Sequence, residues 1–296
     1  MNKHMLSRTD KIFLMINDFI LFLALIVVLL PVIYIVSSSF SSAEAVSTGR
    51  VLLWPVDFSL EGYKTVFEYR SIVSGFANTF FYTIVGTAIN IVMTIAAAYP
   101  LSRRRLFGKN QIMFLFTFTM IFSGGLIPNY MLIMDLGMLN TRWAILLPGA
   151  IGVYNLIIAR TFFQSNIPEE LYEAASIDGC THLFFLTRVV LPLSKPIIAV
   201  LILYYAVGHW NAYFNAFIYL SDQALFPLQI ILREILVLNT VDSALIVDPQ
   251  LAAAKQGLSD LLKYSLIVVS SVPFLIAYPF VSKHFVKGAL TGAVKG

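Results

Sequence analysis

The sequence is poor in charge and in cysteine. Only 12% of its 296 residues are charged, whereas soluble domains carry about 25%, and a soluble globule with so few charges could not cover its own surface. Apolar residues make up 58% of the chain, which also excludes a disordered protein, because disordered chains lack aromatic and branched apolar residues. The single cysteine, Cys180, excludes an internal disulfide and a cysteine-based zinc site. These properties indicate an integral membrane protein.

Sequence motifs for catalysis and for ligand binding are also lacking. The pair Gly108-Lys109 has neither the earlier glycine nor the following Ser or Thr of a phosphate-binding loop, so we expect ATP and Mg²⁺ to be bound by another polypeptide. No nucleophile elbow is present. The net charge of +4 is not gathered into a basic stretch interleaved with aromatics, which argues against nucleic acid. We therefore expect no catalytic residue and no cofactor in this chain. We also expect no metal site, because the four histidines are far apart in the sequence. They are His4, His182, His209 and His284.

Six stretches are long and apolar enough to cross a bilayer, which takes about 20 residues. They are too long for ordinary strands and lack the alternation of a barrel, so we expect an all-α membrane protein with six transmembrane helices. The third stretch is the shortest, and Gly124, Gly125 and Pro128 are expected to break it near its outer end. The six predicted spans are Phe19–Val36, Phe80–Leu101, Ile112–Ile127, Trp143–Phe163, Ile197–Leu220 and Leu266–Val281.

Lys and Arg residues predict the orientation of these spans. With the amino terminus in the cytoplasm, the positive residues concentrate at the inner ends, including the Arg103–Arg105 cluster, so both termini are expected inside. The first apolar run is too long for the core of a cleaved signal peptide, although Ala43-Glu44-Ala45 has a cleavage-site form. The spans contain almost no charge, which weighs against an ion-driven carrier.

One long loop, residues 164–195, is expected to face the cytoplasm. Pro168 suits the first position of a helix, and Gly179 suits a left-handed cap at its end. One face of this helix is predicted to carry Leu171, Ala174, Ala175 and Asp178, and its two alanines would let another surface approach closely.

A second helix is predicted to follow in the same loop. Thr181 can cap it, and it should run to Leu191, with Pro192 and Pro196 stopping it. Helix rules alone leave two interpretations of this helix–turn–helix open. It is either an ordinary amphipathic loop or an element that binds a partner.

The spacing within this loop resembles the EAA loop of binding-protein-dependent ABC importer permeases. Glu173-Ala174-Ala175 is followed after three residues by Gly179, after nine more by Val189, and after one more by Leu191-Pro192. Asp178 before the glycine is also usual in the family, whereas the family has isoleucine at the position of Val189. The resemblance implies that the loop forms coupling helices that dock into a cleft on cytoplasmic ATPase subunits. The coupling residues it implies are Glu173, Ala174, Ala175, Asp178, Gly179, Leu191 and Pro192.

Three further segments are similar to MalG-type carbohydrate-importer permeases. They are residues 98–104, 210–215 and 287–296, and the likeness leans towards importers of oligosaccharides or polysaccharides such as alginate. It implies one permease domain, 1–296, in a bacterial inner membrane. The implied partners are a second homologous permease, two ATPase subunits, an extracytoplasmic solute-binding protein and a carbohydrate. The alternative is a free-standing secondary carrier or channel for a small polar solute.

The fifth predicted span offers candidates for a substrate path. Trp210, Asn211, Tyr213 and Asn215 combine hydrogen-bonding groups with flat rings on which pyranoses stack. The two asparagines are four residues apart, so in a continuous helix they share a face. That face should point inward, because unpaired amides facing lipid cost several kcal/mol. The competing interpretation is hydrogen bonding between helices of the bundle.

The connection after the fifth span is expected to be extracytoplasmic. Residues 228–238 have a helical apolar stripe that suits a helix lying along the membrane surface. In MalG-type permeases the corresponding loop contacts the binding protein, which implies that Asn239–Gln250 does so here; a passive connector is the alternative.

Overall fold

The computed structural model describes residues 7–235, 257–276 and 279, and these residues are mostly helical, with no β-strand among them. The predictions for residues 239–250, 277–281 and the carboxyl-terminal segment lie outside the described residues, except for Pro279. The helices are α1 (Arg8–Ser39), α2 (Ala43–Ser47), α3 (Glu61–Glu68), α4 (Arg70–Ser102), α5 (Lys109–Ile121), α6 (Leu126–Asp135), α7 (Trp143–Leu146), α8 (Val153–Asn166), α9 (Glu169–Ile177), α10 (His182–Phe185), α11 (Leu191–Leu193), α12 (Lys195–Asn211), α13 (Phe214–Tyr219), α14 (228–235) and α15 (Gly257–Ile276).

Three described helices, α1, α4 and α15, are each long and apolar enough to cross a membrane. The number rises to five if α5–α6 and α10–α12 each count as one bent span. The first, second and sixth predicted spans therefore fall on long helices. The third, fourth and fifth do not form continuous helices.

The chain divides into two compact units. The first is formed within Met1–Tyr69 and Leu232–Val272. In it, α3 packs closely against α15 at Gly62. A Cβ atom at this position would collide with the side chains of Ser265 and Leu261. The hydroxyl groups of Ser39 and Tyr63 are 2.8 Å apart, which fixes α3 to the end of α1. The predicted loop after the first span thus contains two short helices.

The second unit is formed within Arg70–Ile231 and Pro273–Gly296, and α4 is its central element, packed against α8 and α12. The buried face of α4 carries polar or small residues at every fourth position, which places them in one row. The residues of this row, which we call the α4 row, are Asn78, Tyr82, Gly86, Asn90 and Thr94.

One end of the α4 row holds the chain that precedes α14. Asn78 Nδ2 donates hydrogen bonds to the carbonyl oxygens of Ala224 and Phe226 at 2.7 and 3.1 Å. The Tyr82 hydroxyl donates to the carbonyl oxygen of Leu225 at 2.9 Å. Buried backbone carbonyl groups need such partners, because burial removes them from water. The chain before α14 is therefore held by side chains of α4.

Asn90, near the middle of the row, explains why the fourth predicted span is not one helix. The backbone between α7 and α8 is non-helical, and Gly149 has a φ of +75°. Asn90 Nδ2 donates to the carbonyl oxygens of Gly149 and Ala150 at 3.2 and 2.9 Å. These bonds satisfy carbonyls that a helix would have satisfied internally, so the helix can break inside the apolar stretch.

The same asparagine also contacts α12. Its Oδ1 is 2.6 Å from His209 Nε2, so this ring nitrogen donates to the amide oxygen. Gly86 permits the close approach of the two helices, because a Cβ atom there would lie 2.5 Å from the His209 ring. Next in the row, the Thr94 and Tyr205 hydroxyls are 2.6 Å apart. These two contacts join α4 to α12.

The third predicted span is also broken, and only partly for the predicted reason. Helix α5 ends at Ile121, and the axis turns by 114° before α6. Gly125, with a φ of +86°, lies at this turn as expected. Pro128 does not break a helix, since it lies in the first turn of α6, where its missing N–H is not needed.

We expect Asn90→Ala to destabilise the protein. It removes the partners of the Gly149 and Ala150 carbonyls and of His209, and each buried polar group left unpaired costs about 1–3 kcal/mol. The melting temperature of the purified protein in detergent measures this effect. Asn110→Ala, on the exposed surface of α5, is the control and should change stability by less than about 0.5 kcal/mol. Equal melting temperatures for the two variants would contradict the role of Asn90.

Candidate functional site

The candidate site begins with the predicted cytoplasmic loop, in which α9 occupies Glu169–Ile177. Pro168 stands immediately before this helix. Two glutamates in the first turn, Glu169 and Glu170, favour the helix dipole. Gly179 has a φ of +78°, a left-handed conformation that glycine adopts without strain and that ends the helix here. The backbone N–H of Cys180 donates to the carbonyl oxygen of Ala175 at 2.9 Å, which closes the turn.

The second helix of the loop differs from its predicted form. Thr181 caps it by accepting a hydrogen bond from the backbone N–H of Phe184 at 3.3 Å. Pro192 does not stop it, because the helical chain continues to Leu193 and bends at Ser194. The prediction was wrong because a π-helical turn, Leu186–Val190, precedes the proline. Such a turn shifts the hydrogen-bond register and accommodates the missing N–H of Pro192.

The two faces of α9 differ in their surroundings. Tyr172 is buried in an apolar cluster with Phe185 and with residues of α4, α8 and α12. Its hydroxyl is 2.8 Å from Nε2 of His182, and the two rings stack. Of the predicted docking face, Leu171, Ala174 and Asp178 are exposed and Ala175 is partly buried. The small and apolar side of α9 is therefore accessible, while the tyrosine side holds the helix to the bundle.

Two ion pairs connect α9 to the end of α4. Arg103 Nη1 lies 3.5 Å from Glu169 Oε2, and these side chains are only 7% and 16% exposed. Arg105 Nη2 lies 2.9 Å from Oε1 of Glu173, the glutamate of the EAA motif, with both side chains largely exposed. The arginine cluster and the glutamates of the loop, which the sequence showed as separate features, thus meet in the structure.

The structure corrects the predicted substrate path. Helix α12 ends at Asn211 and α13 begins at Phe214, so Asn211 and Asn215 do not share a helical face, contrary to the prediction. Trp210 is buried, with edge contacts to the rings of Phe80 and Phe274 at 5.2 and 5.4 Å. It is therefore a packing residue.

The other three path residues are exposed. The side-chain amide of Asn211 donates to the carbonyl oxygen of Val207 at 2.9 Å, which leaves its Oδ1 on the surface of α12. Tyr213 and Asn215 lie at and after the break between α12 and α13. These three residues therefore lie on the surface of this chain.

Sequence reasoning missed an accessible stripe on α12. It consists of Tyr204, Val207, Gly208 and Asn211, at spacings that keep them on one face. Tyr154, at the start of α8, makes an edge contact with Tyr204 at 6.3 Å between ring centroids. The recurrence of Tyr204, Gly208 and Asn211 at spacings of four and three residues, beside the buried Leu201 and Tyr205, is a periodicity signal that could have found it. We call these residues, including Tyr154, the tyrosine stripe.

Within the described residues, no group of three or more His, Cys, Asp or Glu side chains is placed to hold a metal ion. Of the acidic side chains discussed above, Glu169 and Glu173 lie within ion-pair distance of arginines.

Comparison with known proteins extends these findings. No family model matches the sequence. The chain is 43% identical to the polygalacturonan/rhamnogalacturonan transport system permease protein YtcP of Bacillus subtilis, over 96% of this chain and 98% of that one. It is 29% identical to the melibiose/raffinose/stachyose import permease protein MelC of the same organism, over 82% of this chain and 84% of that one.

A solved structure is similar over nearly the same extent. It is a crystal structure of a bacterial ABC transporter involved in the import of the acidic polysaccharide alginate, with a TM-score of 0.85 and 36% identity. The match covers 95% of this chain and 99% of the other. Likeness of this degree along the whole length of such chains shows a shared fold and a shared family. The protein belongs to the family of permease subunits of ABC carbohydrate importers.

Proposed function

We propose that this permease moves oligosaccharides or polysaccharides containing uronic acids into the cytoplasm. This proposal is supported by the substrates of its relatives, which are acidic at higher sequence identity and neutral at lower identity. At 43% and 36% identity, the printed substrates are a galacturonan or rhamnogalacturonan and alginate, all of them acidic. The relative that imports the neutral sugars melibiose, raffinose and stachyose is 29% identical.

The chain acts in this proposal as one permease domain of a larger complex in the bacterial inner membrane. In this proposal the chain crosses the membrane six times, with both termini and the α9 loop in the cytoplasm, as the distribution of Lys and Arg favours. A second permease completes the path, and an extracytoplasmic binding protein delivers the carbohydrate. Two ATPase subunits bind ATP and Mg²⁺, because this sequence has no phosphate-binding loop.

The accessible face of α9 is the surface that docks on the ATPase. Leu171 and Ala174 present small and apolar groups there, and Ile177 next to them is 87% exposed. An exposed apolar patch next to a helix end indicates an interaction site. The opposite face cannot dock, because Tyr172 is buried in the bundle.

Reconstitution in proteoliposomes tests the function. We expect the complex purified through a tag on this chain, with its binding protein present, to take up oligogalacturonides only when ATP is supplied to the ATPase side. Maltodextrins of equal length are the control for acidic specificity. Uptake of maltodextrins but not oligogalacturonides would overturn the acidic substrate. Uptake by this chain alone without ATP would favour the carrier or channel alternative.

Gly179 tests the coupling loop, and the chain offers a matched control. Gly179 and Gly137 both have positive φ angles, +78° and +66°, and both have open space where a Cβ atom would stand. Alanine at either position therefore adds similar strain, about 1–2 kcal/mol. We expect Gly179→Ala, and more strongly Gly179→Asp, to raise the number of ATP molecules hydrolysed per sugar, whereas Gly137→Ala should not. Equal ratios in all three variants would remove α9 from the coupling mechanism.

The tyrosine stripe is the part of the substrate path that we assign to this chain. Tyr204 is nine residues from the start of α12 at Lys195, a rise of about 14 Å, near the middle of a hydrocarbon core of about 30 Å. Tyr154 is twelve residues from the end of α8 at Asn166, or about 18 Å. Exposed hydroxyls at this depth are costly against lipid and suit the hydroxyl groups and ring faces of a carbohydrate.

Replacing Tyr204 with Leu removes the hydroxyl and the flat ring while keeping an apolar side chain. We expect oligogalacturonide uptake to fall about fivefold to tenfold, as loss of one ring contact of about 1–1.5 kcal/mol implies, with the melting temperature unchanged. Ile202→Leu, on the neighbouring exposed surface of the same helix, is the control. Trp210→Ala should instead lower the melting temperature, because Trp210 is buried. Normal uptake by Tyr204→Leu would exclude the stripe from the path.

A further inference from the structure

Arg103 is a buried cation at the end of α4. Its side chain is 7% exposed, and its guanidinium lies 3.5 Å from the Glu169 carboxylate. The guanidinium carbon is also 4.7 Å from the ring centroid of Tyr99 and 5.6 Å from that of Phe185. Desolvated contacts of a cation with aromatic rings are attractive. One side chain therefore connects α4 with both helices of the loop, α9 through Glu169 and α10 through Phe185.

The surrounding contacts fix the end of α4 around this arginine. Lys109 Nζ donates to the carbonyl oxygen of Arg103 at 3.4 Å, and Arg160 Nε donates to that of Leu101 at 3.0 Å. These bonds come from α5 and α8, so the α4 end is attached to the bundle on two further sides. Arg103 consequently joins the loop to a part of the molecule that is firmly held.

The neighbouring pair offers a contrast. Arg105 and Glu173 are 72% and 51% exposed, and surface ion pairs of this kind contribute about 0–1 kcal/mol. The Arg103–Glu169 pair is withdrawn from water. Burying a pair does not by itself stabilise a protein, but removing one partner leaves an uncompensated buried charge, which is strongly destabilising.

We propose that Arg103 is a positioning residue of the transport cycle, which makes α9 and α4 move together. This inference rests on the proposed function, in which α9 receives movement from the ATPase. A displacement of α9 reaches α4 through the buried Arg103–Glu169 pair. The α4 row then passes it to the broken segment beside Asn90 and to His209 on α12. Without the pair, α9 can follow the ATPase while α4 does not.

The variants Arg103→Met and Glu169→Gln test this role. Methionine keeps much of the volume without the charge, and glutamine keeps the shape of the glutamate without its charge. We expect each to raise the number of ATP molecules hydrolysed per oligogalacturonide transported by about tenfold, within the range of coupling changes that single substitutions cause. The ratio is measured on assembled complexes in proteoliposomes, so a loss of folded protein does not change it.

Two comparisons decide the result. Arg104→Met, next to Arg103 on the exposed surface, is the control and should keep the wild-type ratio. Should Arg103→Met fail to assemble, Glu169→Gln still decides, because it changes one partly accessible group at the start of α9. A wild-type ratio in Glu169→Gln overturns the inference. Absence of ATP-dependent uptake by the wild-type complex instead overturns the proposed function, so the two failures are distinguishable.

Discussion

A buried backbone carbonyl left unpaired costs about 1–3 kcal/mol, and in the second unit side chains of α4 prevent this cost for two irregular segments. Asn90 satisfies the carbonyls of the segment between α7 and α8. Asn78 and Tyr82 do the same for the chain before α14. Because the partners stand in one row on one helix, α4 can hold several broken helices at once. The breaks in turn allow short, independently oriented helices in an otherwise apolar bundle.

The sequence predicted most reliably what depends on local chemistry. Long apolar runs located α1, α4 and α15, and the turn residues Gly179 and Thr181 located the ends of the loop helices. Continuity of the middle spans was predicted wrongly. Hydropathy measures the side chains of a segment, but whether that segment stays helical depends on donors elsewhere in the chain. The polar row at every fourth position of α4 was the available signal.

In the candidate site, too, local features were predicted and contacts between distant residues were not. The spacing of the EAA motif was visible in the sequence, but the pairing of its loop with Arg103 and Arg105 required the fold, because about 65 residues separate the partners. The prediction that Asn211 and Asn215 share a helical face was wrong because it assumed an unbroken helix, whereas α12 ends at Asn211. Residue spacing predicts which side chains share a face within one helix, but not across a helix break that the sequence does not reveal.

The α4 row also bears on how the chain is made. Synthesis proceeds from the amino terminus, so Asn78, Tyr82 and Asn90 enter the membrane before the backbone that needs them. The segment at Gly149 and the chain at Leu225 each arrive when their partners are already in place. The order of these elements along the polypeptide therefore lets the two irregular segments form their hydrogen bonds with α4 as they enter the bundle. By contrast, no residue in the most apolar stretch of α1 is buried within this chain.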